Sequence, residues 1–103
     1  MYTFTTTIWK YPGKLGNWYF ASLPKKEALS IKTTYGAKRK GWGSIPVIAK
    51  IGDSEWATSV FPDTKSGTYL LPIKASIRKK QGIFDEKKIQ ISITINTGKI
   101  AIQ

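Results

Sequence analysis

The chain has 103 residues and a formal net charge of +11, from 17 Lys or Arg against 6 Asp or Glu. That length bounds one domain with one core, and the 13% aromatic content supplies it, which excludes a globally disordered chain. Cysteine and histidine are both absent, which removes disulfides, thiolate metal sites, the commonest general base and the commonest metal ligand.

Residues 2–10 alternate, with Tyr2, Phe4, Thr6 and Ile8 on one face and Thr3, Thr5 and Thr7 on the other. Threonine and aromatic residues in that pattern predict a half-buried strand. YPGKLGN at 11–17 is a turn cluster, and Trp18 to Leu23 is the second strand of the resulting hairpin. Pro24 fits the first turn of a helix, where its missing N–H costs nothing, and Glu27 complements the helix dipole. Ala28, Leu29 and Tyr35 are read as its apolar stripe and Gly36 as its C-cap.

GAKRKGWGS at 36–44 reads as a loop. Ile45, Val47, Ala49 and Ile51 alternate as a third strand, where Pro46 points to a sheet edge or a bulge. A tight turn at Gly52-Asp53-Ser54 leads to a fourth strand at 55–61, and PDTKSG at 62–67 connects onward. Strand 67–71 reaches Pro72 and a short helix to Gln81, with Ile73 and Ile77 as its apolar side and Gly82 as its end. At 88–96, Ile89, Ile91, Ile93 and Ile95 face inward while Gln90, Ser92, Thr94 and Asn96 face out. A turn at Asn96-Thr97-Gly98 then returns the chain as a final short strand through Ile100 and Ile102.

One pattern occurs twice. FASLPKKEALSIKTTYG at 20–36 and TYLLPIKASIRKKQG at 68–82 each run from apolar strand to Leu-Pro, basic amphipathic stretch and Gly. The pairs Leu23-Pro24 and Leu71-Pro72 lie 48 positions apart, about half the chain. Each half is read as strand, Leu-Pro, helix, strand, turn, strand. One half cannot close its own edges, whereas two interleaved halves can. The expectation is a mainly-β barrel of about seven strands and two short helices, with internal pseudo-twofold duplication, as one domain over residues 1–103.

The second copy, LLPIKASIRKKQGIFDEKKIQISI, resembles the AbrB/MazE class of swapped-hairpin barrels, in which two chains build one barrel. Nearly the whole chain, through IWKYPGKLGNWYFASLP and GWGSIPVIAKIGDSEWATSVFPDTKSGTYLLPIKASIRKKQGI, resembles the family of unknown function numbered 1905. That resemblance implies a double-split β-barrel and brings no established activity and no catalytic residues. Some members carry a further C-terminal segment of the bacteriocin-protection, YdeI/OmpD-associated type, which these 103 residues do not include.

The charge has two readings. It attracts polyanions over long range, or it keeps a small β-protein soluble and guards its strand edges. Under the first, Lys38, Arg39 and Lys40 neutralise phosphates and Trp42 stacks on a base. Under the second, Trp42 plugs one end of the barrel and the cations stay solvated. Lys74, Arg78, Lys79 and Lys80 form a second basic group, paired by the repeat with Lys25, Lys26 and Lys32. The competing reading is that they complement a helix C-terminus and cover apolar surface.

Ser44 and Ser59 are the hydroxyls for a nucleophile, with no histidine to activate them and only a Ser–Lys dyad with Lys74 allowed. Asp53, Glu55, Asp85 and Glu86 read as solvated turn acids without the ligand count of a Ca²⁺ loop. Gly13-Lys14-Leu15-Gly16 matches the G-x-x-G loop of an RNA-binding module, but it joins two strands rather than two helices. No signal peptide pattern precedes the first strand, and no run approaches about 18 apolar residues. The expectation is a cytoplasmic, monomeric, non-enzymatic protein without cofactor, metal or membrane contact. Its partner is a nucleic acid or, alternatively, a protein; a small-ligand binder or enzyme is the third reading.

Overall fold

The computed structural model describes residues 1–12, 18–35 and 43–96. These form β1 (Tyr2–Lys10), β2 (Tyr19–Ser22), α1 (Lys25–Tyr35), β3 (Ile45–Ile51), β4 (Ser54–Asp63), β5 (Thr68–Pro72), α2 (Ala75–Gln81) and β6 (Lys88–Ile95). The strands close into a barrel in the order β1-β2-β5-β4-β3-β6, with every neighbouring pair antiparallel. The mainly-β barrel with two helices read from the sequence is therefore the architecture found. Gly36 and the expected strand through Ile100 and Ile102 lie outside the described residues, as does most of the 11–17 turn cluster.

The interior follows the period-two pattern. Ile8, Val47, Val60, Leu71, Ile91 and Ile93 are fully buried, and each contributes about 1.5–3 kcal/mol by leaving water. Gln90 and Thr94 face out, as their alternation with the isoleucines requires.

The β2–β5 ladder shows how the halves meet. Its register pairs Ser22 with Leu70, two residues separated by the same 48 positions as the Leu-Pro pairs. An antiparallel pairing at the repeat's own offset places a local twofold axis between these strands. The Leu23 N–H continues the ladder by donating to the Tyr69 carbonyl at 2.9 Å. In the barrel order, this axis exchanges β1 with β4, β3 with β6 and α1 with α2. The repeated unit is thus β-β-α-β, once as β1-β2-α1-β3 and once as β4-β5-α2-β6. The unit drawn from the sequence, strand, Leu-Pro, helix, strand, turn, strand, left β1 outside the repeat, whereas β1 is the counterpart of β4 and pairs with β6 from Tyr2↔Ile93 to Thr7↔Lys88.

Because β2 and β5 run antiparallel and each feeds its own helix, α1 and α2 emerge at opposite ends of the barrel. The Pro24 carbonyl accepts the Ala28 N–H at 3.0 Å, so α1 begins just after Pro24. Its buried stripe is Ala28 and Ile31 with half-buried Tyr35, at spacings of three and four. Leu29, expected on that stripe, is 65% exposed because one residue turns the helix by about 100°. At the other end Lys74 is the extended N-cap of α2, without a side-chain cap. Gly82 (φ 62°) closes α2 in the left-handed conformation, and the Ile83 N–H donates to the Arg78 carbonyl at 2.9 Å.

Pro46 sits on neither an edge nor a bulge. β3 lies between β4 and β6, and its register with β4 runs unbroken from Ile45↔Val60 to Ile51↔Ser54. Pro46 is tolerated as the second residue of the strand, at the barrel mouth, where its carbonyl accepts the Asn96 N–H at 2.9 Å.

The β3–β4 turn has two residues, Gly52 and Asp53, with positive φ only at Gly52 (59°). This fits the type II′ hairpin turn. Gln81 at the end of α2 straps the turn, donating to Asp53 Oδ1 and to Ser54 Oγ, both at 2.8 Å. The same bond, aided by the nearby Lys80 charge, holds the Asp53 carboxyl below its ordinary value. A Cβ at position 52 would collide with the Gln81 amide, whereas one at Gly67 (φ 73°) would enter open space. Gly67→Ala is expected to cost about 1–2 kcal/mol from backbone strain alone. Gly52→Ala is expected to cost more, because the strap is displaced as well. Chemical denaturation of both variants checks the order; equal losses would show that the strap contributes nothing.

Candidate functional site

Of the two basic groups read from the sequence, Lys38, Arg39, Lys40 and Trp42 lie outside the described residues. The residues flanking that segment, Tyr35 and Gly43, belong to the α1 end of the barrel. Lys25, Lys26 and Lys32 of α1 are exposed at that same end. Lys74, Lys79 and Lys80 are exposed at the opposite, α2 end. These two lysine groups therefore lie on separate surfaces, one for each copy of the repeat.

Arg78 behaves differently from its neighbours. It is half-buried, its Nη1 donates to the Ile73 carbonyl at 2.7 Å, and its guanidinium lies 4.1 Å from the centre of the Tyr19 ring. These contacts clamp the start of α2 onto β2 through a hydrogen bond and a cation–π contact. The bland reading of a basic residue that serves packing applies to Arg78, while the three lysines are exposed to solvent.

The outer surface of the barrel divides into two unlike faces. Over β1 and β6 it carries Thr3, Thr5, Gln90, Ser92 and Thr94, with Thr3 and Ser92 hydrogen-bonded across strands at 3.0 Å. Over the end of β1 and β2 it carries aromatic rings. Trp9 and Phe20 are a cross-strand pair with ring centres 5.1 Å apart. Tyr11 leans edge-on against Phe20 at 6.3 Å, and Trp18 lies nearly parallel to it, 6.2 Å away at 12°. Trp9 is fixed by its indole N–H, which donates to Ser22 Oγ at 2.9 Å. Tyr11 and Trp18 remain 53% and 56% exposed.

Two shallow grooves meet at Trp18. One, of about 400 Å³, runs past Trp18, Ala57, Thr58 and Pro72 to Lys74 and Arg78. The other, of about 590 Å³, shares Trp18, Ala57, Thr58 and Pro72 and continues past Ser59 and Phe61 to Ser44 and Asn96. Together they form one trough along the outer row of β4. It reaches from the basic start of α2 to Ser44, just before β3 and two residues after Trp42. No Asp or Glu lines either groove.

Sequence reading missed Trp9, Tyr11, Trp18, Phe20 and Phe61 as surface residues. The signal was present in part: Trp9 and Tyr11 are out of phase with Phe4 and Ile8, the buried residues of the same strand. Among the remaining candidates, Ser44 and Ser59 line the second groove, whereas Lys74 lines the first. The turn acids are exposed; Asp53 accepts from Gln81, and Asp85 accepts the Lys10 backbone N–H at 3.0 Å. Among the described residues no three His, Cys, Asp or Glu gather as a metal site, and no helix is long and apolar enough to cross a membrane.

Residues 4–93 match the family model described as Domain of unknown function (DUF1905). The chain belongs to this family. No curated protein matches it. The DUF1905 match includes both halves of the repeat, the aromatic face and the α2 lysines, leaving only Asn96 of the trough beyond its end.

Arg78→Ala is expected to lower stability by about 1–2 kcal/mol through loss of the Tyr19 stack and the Ile73 hydrogen bond. Lys79→Ala, on the exposed side of the same helix, should change it by less than about 0.5 kcal/mol. Thermal melts of the two variants check this; equal effects would remove the clamp from the account.

Proposed function

We propose that this DUF1905 domain is a nucleic-acid-binding module. Lys74, Lys79 and Lys80 serve as phosphate contacts at the α2 end, and Lys38, Arg39 and Lys40 as a second basic group. Trp42 is a further stacking residue in this reading. The supporting observation is the trough: an exposed Trp18 beside Lys74 and Arg78, with no acidic residue in its lining. A surface that combines cations with accessible aromatic rings suits a ligand that is itself both anionic and aromatic. The proposal is for binding rather than catalysis.

Exposed Tyr11, Trp18 and Phe61 also favour a second reading, a protein partner docked on the aromatic face. Salt separates the two. Nucleic-acid affinity should fall by about 0.7–0.9 log units per log unit of salt for each phosphate contacted. Replacing Lys74, Lys79 and Lys80 together by Ala should lower that slope by about one per lysine engaged. Anisotropy of a labelled oligonucleotide titrated with the protein at several salt concentrations measures both. No binding at low salt, or a flat salt profile, would contradict the proposal.

A further inference from the structure

We infer that the trough along β4 takes unpaired nucleic acid, with a base stacked on Trp18 and the adjoining phosphate at Lys74. This deepens the nucleic-acid reading and rests on it.

The accessible aromatic surface carries the inference. A base offers its flat face to a side chain only when it is unpaired and unstacked. Trp18 is 56% exposed and backed by the nearly parallel ring of Phe20. Phe20 is in turn held by Trp9, whose indole is tied to Ser22. The stacking platform is thus ordered before a ligand arrives, which lowers the entropy cost of binding.

The shape of the trough points the same way. Its floor is the outer row of β4, from Ala57 to Phe61, flanked by Pro72 of β5 and Pro46 of β3. Two strand spacings make it about 10 Å across, room for one stacked strand lying flat on the sheet. Reading a duplex needs an element that enters a groove. The one helix at the trough, α2, has seven residues and buries Ile77 against the barrel.

Among the described residues that line the trough, charge is placed at one end only. Lys74 is exposed at the mouth of the first groove. Arg78 beside it is committed to Tyr19 and Ile73, so it adds to the positive field and is not available to follow a phosphate. The far end offers Ser44, Ser59 and Asn96, polar groups without charge. A strand would therefore be anchored by a phosphate near α2 and run past Trp18 toward Phe61.

The test measures anisotropy of a short labelled mixed-sequence oligonucleotide, single-stranded or annealed to its complement, at low salt. It uses the full chain as wild type, Trp18→Ala and Trp18→Phe, each checked for an unchanged melt. The single strand should bind at least roughly tenfold more tightly than the duplex, and Trp18→Ala should weaken single-strand binding by roughly tenfold. Duplex binding should stay unaltered in both variants, and Trp18→Phe should restore part of the loss. Salt-dependent binding that is equal for the two forms, or indifferent to Trp18, would overturn this inference and leave the nucleic-acid reading standing. No binding of either form would overturn both. Displacement of the bound strand by a salt-insensitive protein partner would reassign the trough to protein docking.

Discussion

The β2–β5 ladder is the interaction on which the rest of this structure depends. Its pairing of Ser22 with Leu70 joins the two copies of the repeat at their own offset. From that one register follow the exchange of β1 with β4, the closure of β3 on β6 and the exit of the helices at opposite ends. Barrel closure also removes the free edges that a half of this size would present. Moving the register by one residue would turn Ala21 and Leu71 outward and their neighbours Phe20 and Leu70 into the core.

The same alternation that fills the core writes two different surfaces on the outside. Threonine, serine and glutamine cover β1 and β6, a face on which Thr3 and Ser92 hydrogen-bond across the strands. Trp9, Phe20, Leu70, Pro72 and Phe61 cover the other face, with Tyr11 and Trp18 exposed at its rim. A barrel whose interior is already filled has no use for these rings as core. Trp9, Tyr11, Trp18 and Phe20 pack on one another, and Trp18 and Phe61 line the trough. The duplication is imperfect where it matters for this surface. At the α2 end the trough combines Trp18 with Lys74, while the smaller groove near α1 is lined by Lys32, Asp63, Thr68 and Tyr69 and includes an acid.

Much of the fold was legible because strands with one buried face announce themselves. The isoleucines of β6 and the Phe4–Ile8 phase of β1 were read directly from their period of two. The twin Leu-Pro pairs revealed the repeat, but its unit was displaced by one strand, since the pattern does not say whether a hairpin precedes or follows each helix. Only the pairing of β1 with β6 decides that. Leu29 was read inward because hydrophobicity outweighed spacing, although Ala28, Ile31 and Tyr35 satisfy the helical period. The site was less legible for a related reason. A Trp in a strand reads as core, and only the phase of its neighbours shows that Trp9 points out. Arg78 looked like one more surface cation because its partner Tyr19 lies 59 positions away in sequence.

The central claim is that the aromatic side of the barrel, and not its hydroxyl-rich side, is the working surface. Chemical-shift mapping of the isotopically labelled protein, titrated with a short unpaired oligonucleotide, tests this most directly. The account predicts that the largest shifts fall on the Trp18 indole N–H and on the backbone amides of Ala57, Ser59, Phe61 and Lys74. Shifts centred instead on Thr3, Thr5, Gln90, Ser92 and Thr94 would contradict it.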